Sequence, residues 1–250
     1  MHVRRWLPVR GPGGFVYHFV RLGLKWISAA YVRVRIEGAE HLPTSGGYVI
    51  CFNHPSWLDP IVIAGWWPDR DRLLYIFGPR EADMSVGIRN HLITLTGRGI
   101  PFQPGGADAL DATRRSLVVL RAGAALAVAG EGRLSDHEGT PLPFEPGVGH
   151  FAQLARVPIV PLSIDGTRWV HFGSTVRLRI GAPIDPSGFG SGRATAARLS
   201  AAAHAAVTAG LAGVTDRPPP GRLGATISEA FNDRPWLDEV SSPDLPGSES

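Results

Sequence analysis

Short apolar runs alternating with segments of helical period constrain this chain more than any other feature. YVRVRIEG (31–38), YVICFN (48–53), LLYIF (73–77), AALAVA (124–129) and VPIVPLSID (157–165) read as strands, with a shorter strand at 99–102 and TVRLRIG (175–181) as a half-exposed one. Helical segments fall between them at 57–67, 82–96, 107–123 and 147–156, and an alanine-rich helix follows at 192–213. This order predicts an α/β fold: a single domain with a mixed, mostly parallel sheet flanked by helices on both faces. Apolar residues make up 44% of the chain, ample for such a core.

Residues 15–31, FVYHFVRLGLKWISAAY, read as an N-terminal amphipathic helix. Phe15, Phe19, Leu22, Trp26 and Ala29 recur at spacings of three and four, and Arg21 and Lys25 form an i,i+4 cationic pair on another face. Aromatic residues beside basic ones suit a membrane interface; the alternative is a helix that packs its stripe on the domain, and both can hold together. Residues 1–36 hold seven cationic and no acidic side chains, whereas 214–250 hold seven acidic and three basic ones. The expected organisation is a membrane-contacting segment at 1–30, a catalytic domain at 31–213 and a mobile acidic, Pro-rich tail at 214–250. A net charge of +3 is too small for a nucleic-acid partner. Neither a signal peptide nor an uncharged apolar run of roughly 18 residues is apparent. A lone cysteine, Cys51, excludes an intrachain disulfide, fits a reducing compartment and is expected to be a buried, inert thiol.

The strand YVICFN runs directly into Asn53 and His54, at the place where open α/β sheets carry their sites. Asp59 follows five residues later, just before a helix expected to begin near Pro60. Pro55 and Pro60 restrict the loop, which is short enough for the carboxylate to return to the imidazole. A carboxylate on one ring nitrogen fixes the tautomer and leaves the other nitrogen to take a proton from an attacking hydroxyl. No serine or cysteine stands out as a covalent partner, so direct attack by the acceptor's hydroxyl on a thioester fits the pattern. No second histidine nearby completes a metal set.

NHPSWLDP (53–60), GRGIPFQPGGADAL (97–110), LRAGAALAVAGEGRLSD (120–136) and PFEPGVGHFAQLARVPIVPLSI (143–164) occur in an order that resembles the conserved blocks of the lysophosphatidic acid acyltransferases, in the glycerolipid acyltransferase superfamily. The resemblance covers roughly residues 30–185. It implies transfer of a fatty acyl group from acyl-CoA or acyl carrier protein to a lysolipid hydroxyl, with lysophosphatidic acid the default acceptor and phosphatidic acid the product. It makes His54 the general base and Asp59 its orienting partner. It makes Glu131 and Gly132 part of the acceptor site and ties Pro158 and Pro161 to its shape; Asn53, Arg133 and Arg98 complete the candidate substrate-binding residues. It implies no metal or organic cofactor, a membrane lipid surface as partner, and a peripheral place on the cytoplasmic face of the cell membrane.

The chain departs from the family pattern where an acceptor phosphate would sit. Glu131-Gly132-Arg133-Leu134-Ser135 moves the arginine onto the usual threonine position, Pro104 stands where a phosphate-binding arginine is usual, and Glu145 stands where a basic residue is common. Arg98 lies at the other end of the short strand, and Arg80 precedes Glu81. Two readings stay open: Arg98 and Arg133 together replace the missing contact, or the acceptor is a different lysolipid, an aminolipid or a glycolipid. Two further alternatives are a lipid-binding module without catalysis and a hydrolase that activates water.

Overall fold

The apolar runs become strands because β-branched and aromatic residues fit a pleated, buried surface. The computed structural model describes residues 14–79, 98–102, 106–135, 137–215, 221–223, 228 and 232. The expected helix at 82–96, His91, Arg80, Pro104, residues 1–13 and most of the 214–250 segment lie outside them. Among the described residues the strands are β1 (Arg33–Glu37), β2 (Tyr48–Phe52), β3 (Leu74–Pro79), β4 (Gly99–Phe102), β5 (Ala125–Ala129), β6 (Ile159–Asp165) and β7 (Thr175–Ile180). The helices are α1 (Phe15–Tyr31), α2 (Leu58–Trp66), α3 (Gly106–Arg121), α4 (Gly147–Ala155) and α5 (Arg193–Gly210).

The strands form one sheet in the order β1-β7-β6-β2-β5-β3-β4. Every pairing is parallel except β6 with β7. β2 sits between β5 and β6, and all five of its residues are buried. That continuous burial is expected of a central parallel strand covered on both faces. Its side chains alternate: Val49 and Cys51 join the core under α3, α4 and α5, while Tyr48, Ile50 and Phe52 join the core under α2. β7, nearer the edge, alternates half-buried and buried positions. Its outward Arg177 and Arg179 reach the buried Asp165 at 3.1 and 2.6 Å, which fixes the end of β6. Cys51 is fully buried in β2, and burial pushes its thiol well above the usual range.

α1 has the bounds its pattern predicts, and its two faces meet different surroundings. Tyr17, Arg21 and Leu24 are buried against the domain, and the apolar stripe turns outward, with Phe15 82%, Phe19 65% and Trp26 69% exposed. The cationic pair is therefore not a free surface face. Arg21 donates to the carbonyl oxygens of Trp67 and Asp69, and Lys25 stands over the Trp66 ring at 4.9 Å. Arg21 thus supplies donors to carbonyls of the segment just past α2, which draws this side of α1 inward. Trp66 also donates to Ser28 at 2.7 Å. No helix among the described residues is long and apolar enough to cross a membrane.

Part of the C-terminal segment touches the domain. Ser228 is buried and donates to the Val170 carbonyl at 3.0 Å, and the Asn232 amide donates to the Arg168 carbonyl at 2.6 Å.

Candidate active site

Three adjacent parallel strands, β5, β2 and β6, end on the same edge of the sheet. The segments leaving them carry Glu131, His54 and Thr167 together. Asn53 continues the β2–β6 ladder with its side chain. Its amide donates to the Ile164 carbonyl at 2.9 Å and accepts from the Ile164 N–H at 2.8 Å. Both ends of the amide are therefore spent on backbone, and Asn53 is only 1% exposed.

His54 is held from both sides. Its N–H donates to Glu131 Oε1 at 2.8 Å, and its carbonyl accepts from the Ser135 N–H at 2.8 Å. Its Nδ1 lies 2.9 Å from Asp59 Oδ2. Phe52 and Trp57 stand edge-on to the imidazole, each with ring centroids 5.7 Å away. The ring keeps its Nε2 edge: no described residue hydrogen-bonds to that atom.

Asp59 lies within α2 rather than before it, in the first helical turn, and is fully buried. That turn opens one residue after Trp57, so the Asp59 carboxylate sits at a helix N-terminus, where unpaired N–H groups and the helix dipole favour an anion. Oδ2 also accepts from the Ser56 N–H at 2.9 Å, and Oδ1 accepts from the Thr167 hydroxyl at 2.5 Å. An ionised carboxylate only accepts, so the proton shared with His54 belongs on Nδ1 and the lone pair of the neutral ring on Nε2.

Glu131 is 3% exposed, and its second oxygen accepts from the Leu142 N–H at 3.0 Å. Burial raises its carboxyl above the ordinary range, against the opposing pull of these two N–H groups. The fold thus makes Glu131 a brace between the backbone amides of His54 and Leu142. Gly132 has φ 67°, a left-handed position that suits glycine. Arg133 is exposed, two residues before the Ser135 that bonds His54, so the fold carries this arginine close to the pair.

Arg98 is not brought there. It precedes β4, and the register sets it level with Tyr75, Leu126 and Val49. That places it five residues back along the strand direction and three strands across from His54, roughly 20 Å at strand rise and spacing. Its guanidinium donates to the Tyr75 hydroxyl and packs on the Tyr17 and Tyr75 rings at 5.5 and 5.2 Å. The placement has a simple cause: β4 runs in the same direction as β2, so the residue before it lies at the edge of the sheet opposite to His54.

Thr167, Glu138 and the Ser135 backbone escape sequence reasoning. Glu138 is 1% exposed, and its Oε1 accepts from the N–H groups of Gly166 at 3.0 Å and Arg168 at 2.7 Å. A Gly-Thr pair directly after the β6 run was the available signal, but only strand order makes β6 the neighbour of β2. Three other histidines place a ring nitrogen on a backbone carbonyl away from the site: His41 on Ile180, His171 on Trp169 and His204 on Pro141. No cluster of three or more His, Cys, Asp or Glu fit for a metal occurs among the described residues.

A family model described as Acyltransferase matches residues 33–165, from β1 to the end of β6. The human 1-acyl-sn-glycerol-3-phosphate acyltransferase alpha is 31% identical over 161 residues, 62% of this chain and 53% of that protein. The mouse protein of the same name is 31% identical over 137 residues, 52% of this chain and 45% of its own length. The chain thus spans about half the length of the curated relatives it matches. The crystal structure of the 1-acyl-sn-glycerophosphate (LPA) acyltransferase of Thermotoga maritima superposes with a TM-score of 0.59 at 24% identity, covering 80% of each chain. At that identity the likeness is one of fold.

Proposed function

The chain belongs to the acyltransferase family, and on that premise we propose that it moves an acyl group from a thioester donor, acyl-CoA or acyl carrier protein, to a hydroxyl of a lysolipid. Lysophosphatidic acid is the default acceptor and phosphatidic acid the product. One observation carries the reading: His54 Nδ1 stands 2.9 Å from the buried Asp59 carboxylate inside the family-matched segment. In this reading Asp59 keeps the Nδ1 tautomer and stabilises the imidazolium. Nε2 takes the proton of the acceptor hydroxyl as its oxygen attacks the thioester carbon. The collapsing intermediate expels the thiolate, and the proton on Nε2 returns to it. In the same reading Arg133, exposed two residues before Ser135, is the basic side chain assigned to an acceptor head group.

The position of Arg98 favours a second reading for the acceptor alone. With Arg98 roughly 20 Å away by strand rise and spacing, an acceptor without a phosphomonoester needs no other change in the site. We also place the protein on a lipid surface, peripheral and on the cytoplasmic face, with α1 lying in the interface. The exposed aromatic stripe of α1 supports this.

The test is thiol release from acyl-CoA with lysolipids that do and do not carry a phosphomonoester. His54→Ala is expected to lower kcat by about 10²–10⁴, the usual worth of a general base. Equal rates in wild type and variant would remove the mechanism. Free fatty acid in place of acylated lipid would make the protein a hydrolase.

A further inference from the structure

The site contains one side chain whose role the acyl-transfer reading does not use. Thr167 is fully buried, and its single hydroxyl proton goes to Asp59 Oδ1 at 2.5 Å. A carboxylate turns about its last torsion in a broad, two-fold well. Nδ1 of His54 and the Ser56 N–H both hold Oδ2, which leaves the other oxygen to set the plane. The hydroxyl supplies that third point. Resting on the His54–Asp59 reading, we propose that Thr167 is a positioning residue of the pair, presented to Asp59 by a turn that the Glu138 carboxylate clamps.

The turn is built for this. Gly166 has φ +88°, and a Cβ there would meet the Thr175 carbonyl oxygen at 2.2 Å, so only glycine fits. Asp165, just before it, is fixed by Arg177 and Arg179. Glu138 Oε1 bonds the N–H groups on either side of Thr167, so the threonine is held by its neighbours and not by its own backbone amide. The next residue, Arg168, donates from Nη1 to the Ser135 carbonyl at 3.0 Å, and Ser135 bonds the His54 backbone. One three-residue turn therefore braces His54 twice: its ring through Thr167 and Asp59, its main chain through Arg168 and Ser135.

The experiment uses the full chain in four variants, T167V, T167S, E138A and E138Q, with His54→Ala as control. Melting temperature, kcat and acceptor KM, the pH profile of kcat/KM and the downfield Nδ1–H proton resonance of His54 are measured for each. T167V is expected to lower kcat by about 10- to 100-fold with KM within about twofold, since it misorients the pair without touching the acceptor. Its Nδ1–H resonance should shift and exchange faster with water, and the acid limb of the pH profile should move. T167S should recover most of the loss. E138A should fall between wild type and T167V, and E138Q should recover, because one amide oxygen can accept both N–H bonds. Folded T167V with wild-type kcat, pH profile and resonance would overturn the inference. Should T167V not fold, a wild-type resonance and kcat in E138A would do the same. His54→Ala as active as wild type removes the base mechanism, while the resonance still reports on Thr167. The two failures are therefore distinct.

Discussion

A buried carboxyl beside two backbone donors decides how a single residue here answers to pH. Burial pushes Glu138 up to about 7 from an ordinary 4.5, the charges of Asp165 and Asp59 add to the rise, and the bonds from Arg168 and Gly166 oppose it. The folded state holds this proton more tightly than the unfolded chain. Its contribution to stability is therefore full below about 4.5 and is lost as pH rises toward about 7. Glu138→Gln removes the cost of ionisation. The variant should match wild type near pH 4.5 and exceed it above pH 7, by up to about 3 kcal/mol, read by urea unfolding at each pH. A wild type that gains on the variant as pH rises would contradict the burial argument. Cys51 gives a simpler expectation. With its thiol buried and pushed up, it should not react with a disulfide reagent until the protein unfolds.

At the scale of elements, α1 divides its work by face. Arg21 reaches carbonyls at the C-terminal end of α2, and a Cβ on Gly65 would come within 3.2 Å of the Lys25 nitrogen, so the two helices pack nearly backbone to backbone. Burial holds the Arg21 guanidinium below its usual range, so its bonds must outweigh a desolvation cost. Arg21→Met strips those carbonyls of their donors and should cost about 1–3 kcal/mol of stability. The outward face predicts the reverse pattern. Phe19→Ser with Trp26→Ser should leave the melting temperature unchanged but cut partition onto anionic vesicles more than about tenfold, since each ring adds about 2 kcal/mol of apolar burial in lipid. Unchanged vesicle sedimentation would remove α1 as the lipid-facing element. Removing the whole helix would confound the two effects, because it uncovers α2 as well.

For the whole molecule, the site inherits its rigidity from the centre of the sheet. β2, β5 and β6 are covered on both faces, and their C-terminal ends carry His54, the Glu131–Glu138 stretch and the Gly166–Thr167 turn. Amides of Ile50, Cys51, Ala127 and Leu162 should exchange with solvent only at or near global unfolding, and those of α1 sooner. Equal protection in α1 would mean that the helix is part of the same cooperative unit. Two residues of the segment expected to be mobile, Ser228 and Asn232, bond the carbonyls of Val170 and Arg168 respectively. Arg168 is the last residue of the turn that carries Thr167, so Asn232 bonds the site's support directly and Ser228 bonds it two residues further on.

The sequence alone determined the element pattern of the described residues, the mixed and mostly parallel sheet, and the pairing of His54 with Asp59. These depend on period and on neighbours close along the chain. A strand of alternating apolar residues has few ways to be buried, and five residues is a short enough reach for a carboxylate to find an imidazole. The family resemblance carried by the ordered blocks rests on the same local information. Tertiary structure decided the rest. Strand order put β6 beside β2 and so brought Thr167, more than a hundred residues away, onto Asp59. The parallel direction of β4 sent Arg98 to the far edge. Packing on α2 turned the Arg21 side of α1 inward and its aromatic stripe outward. Glu131, which the motif suggested for an acceptor, is spent on backbone amides, because a buried carboxylate takes whatever donors the fold leaves unpaired.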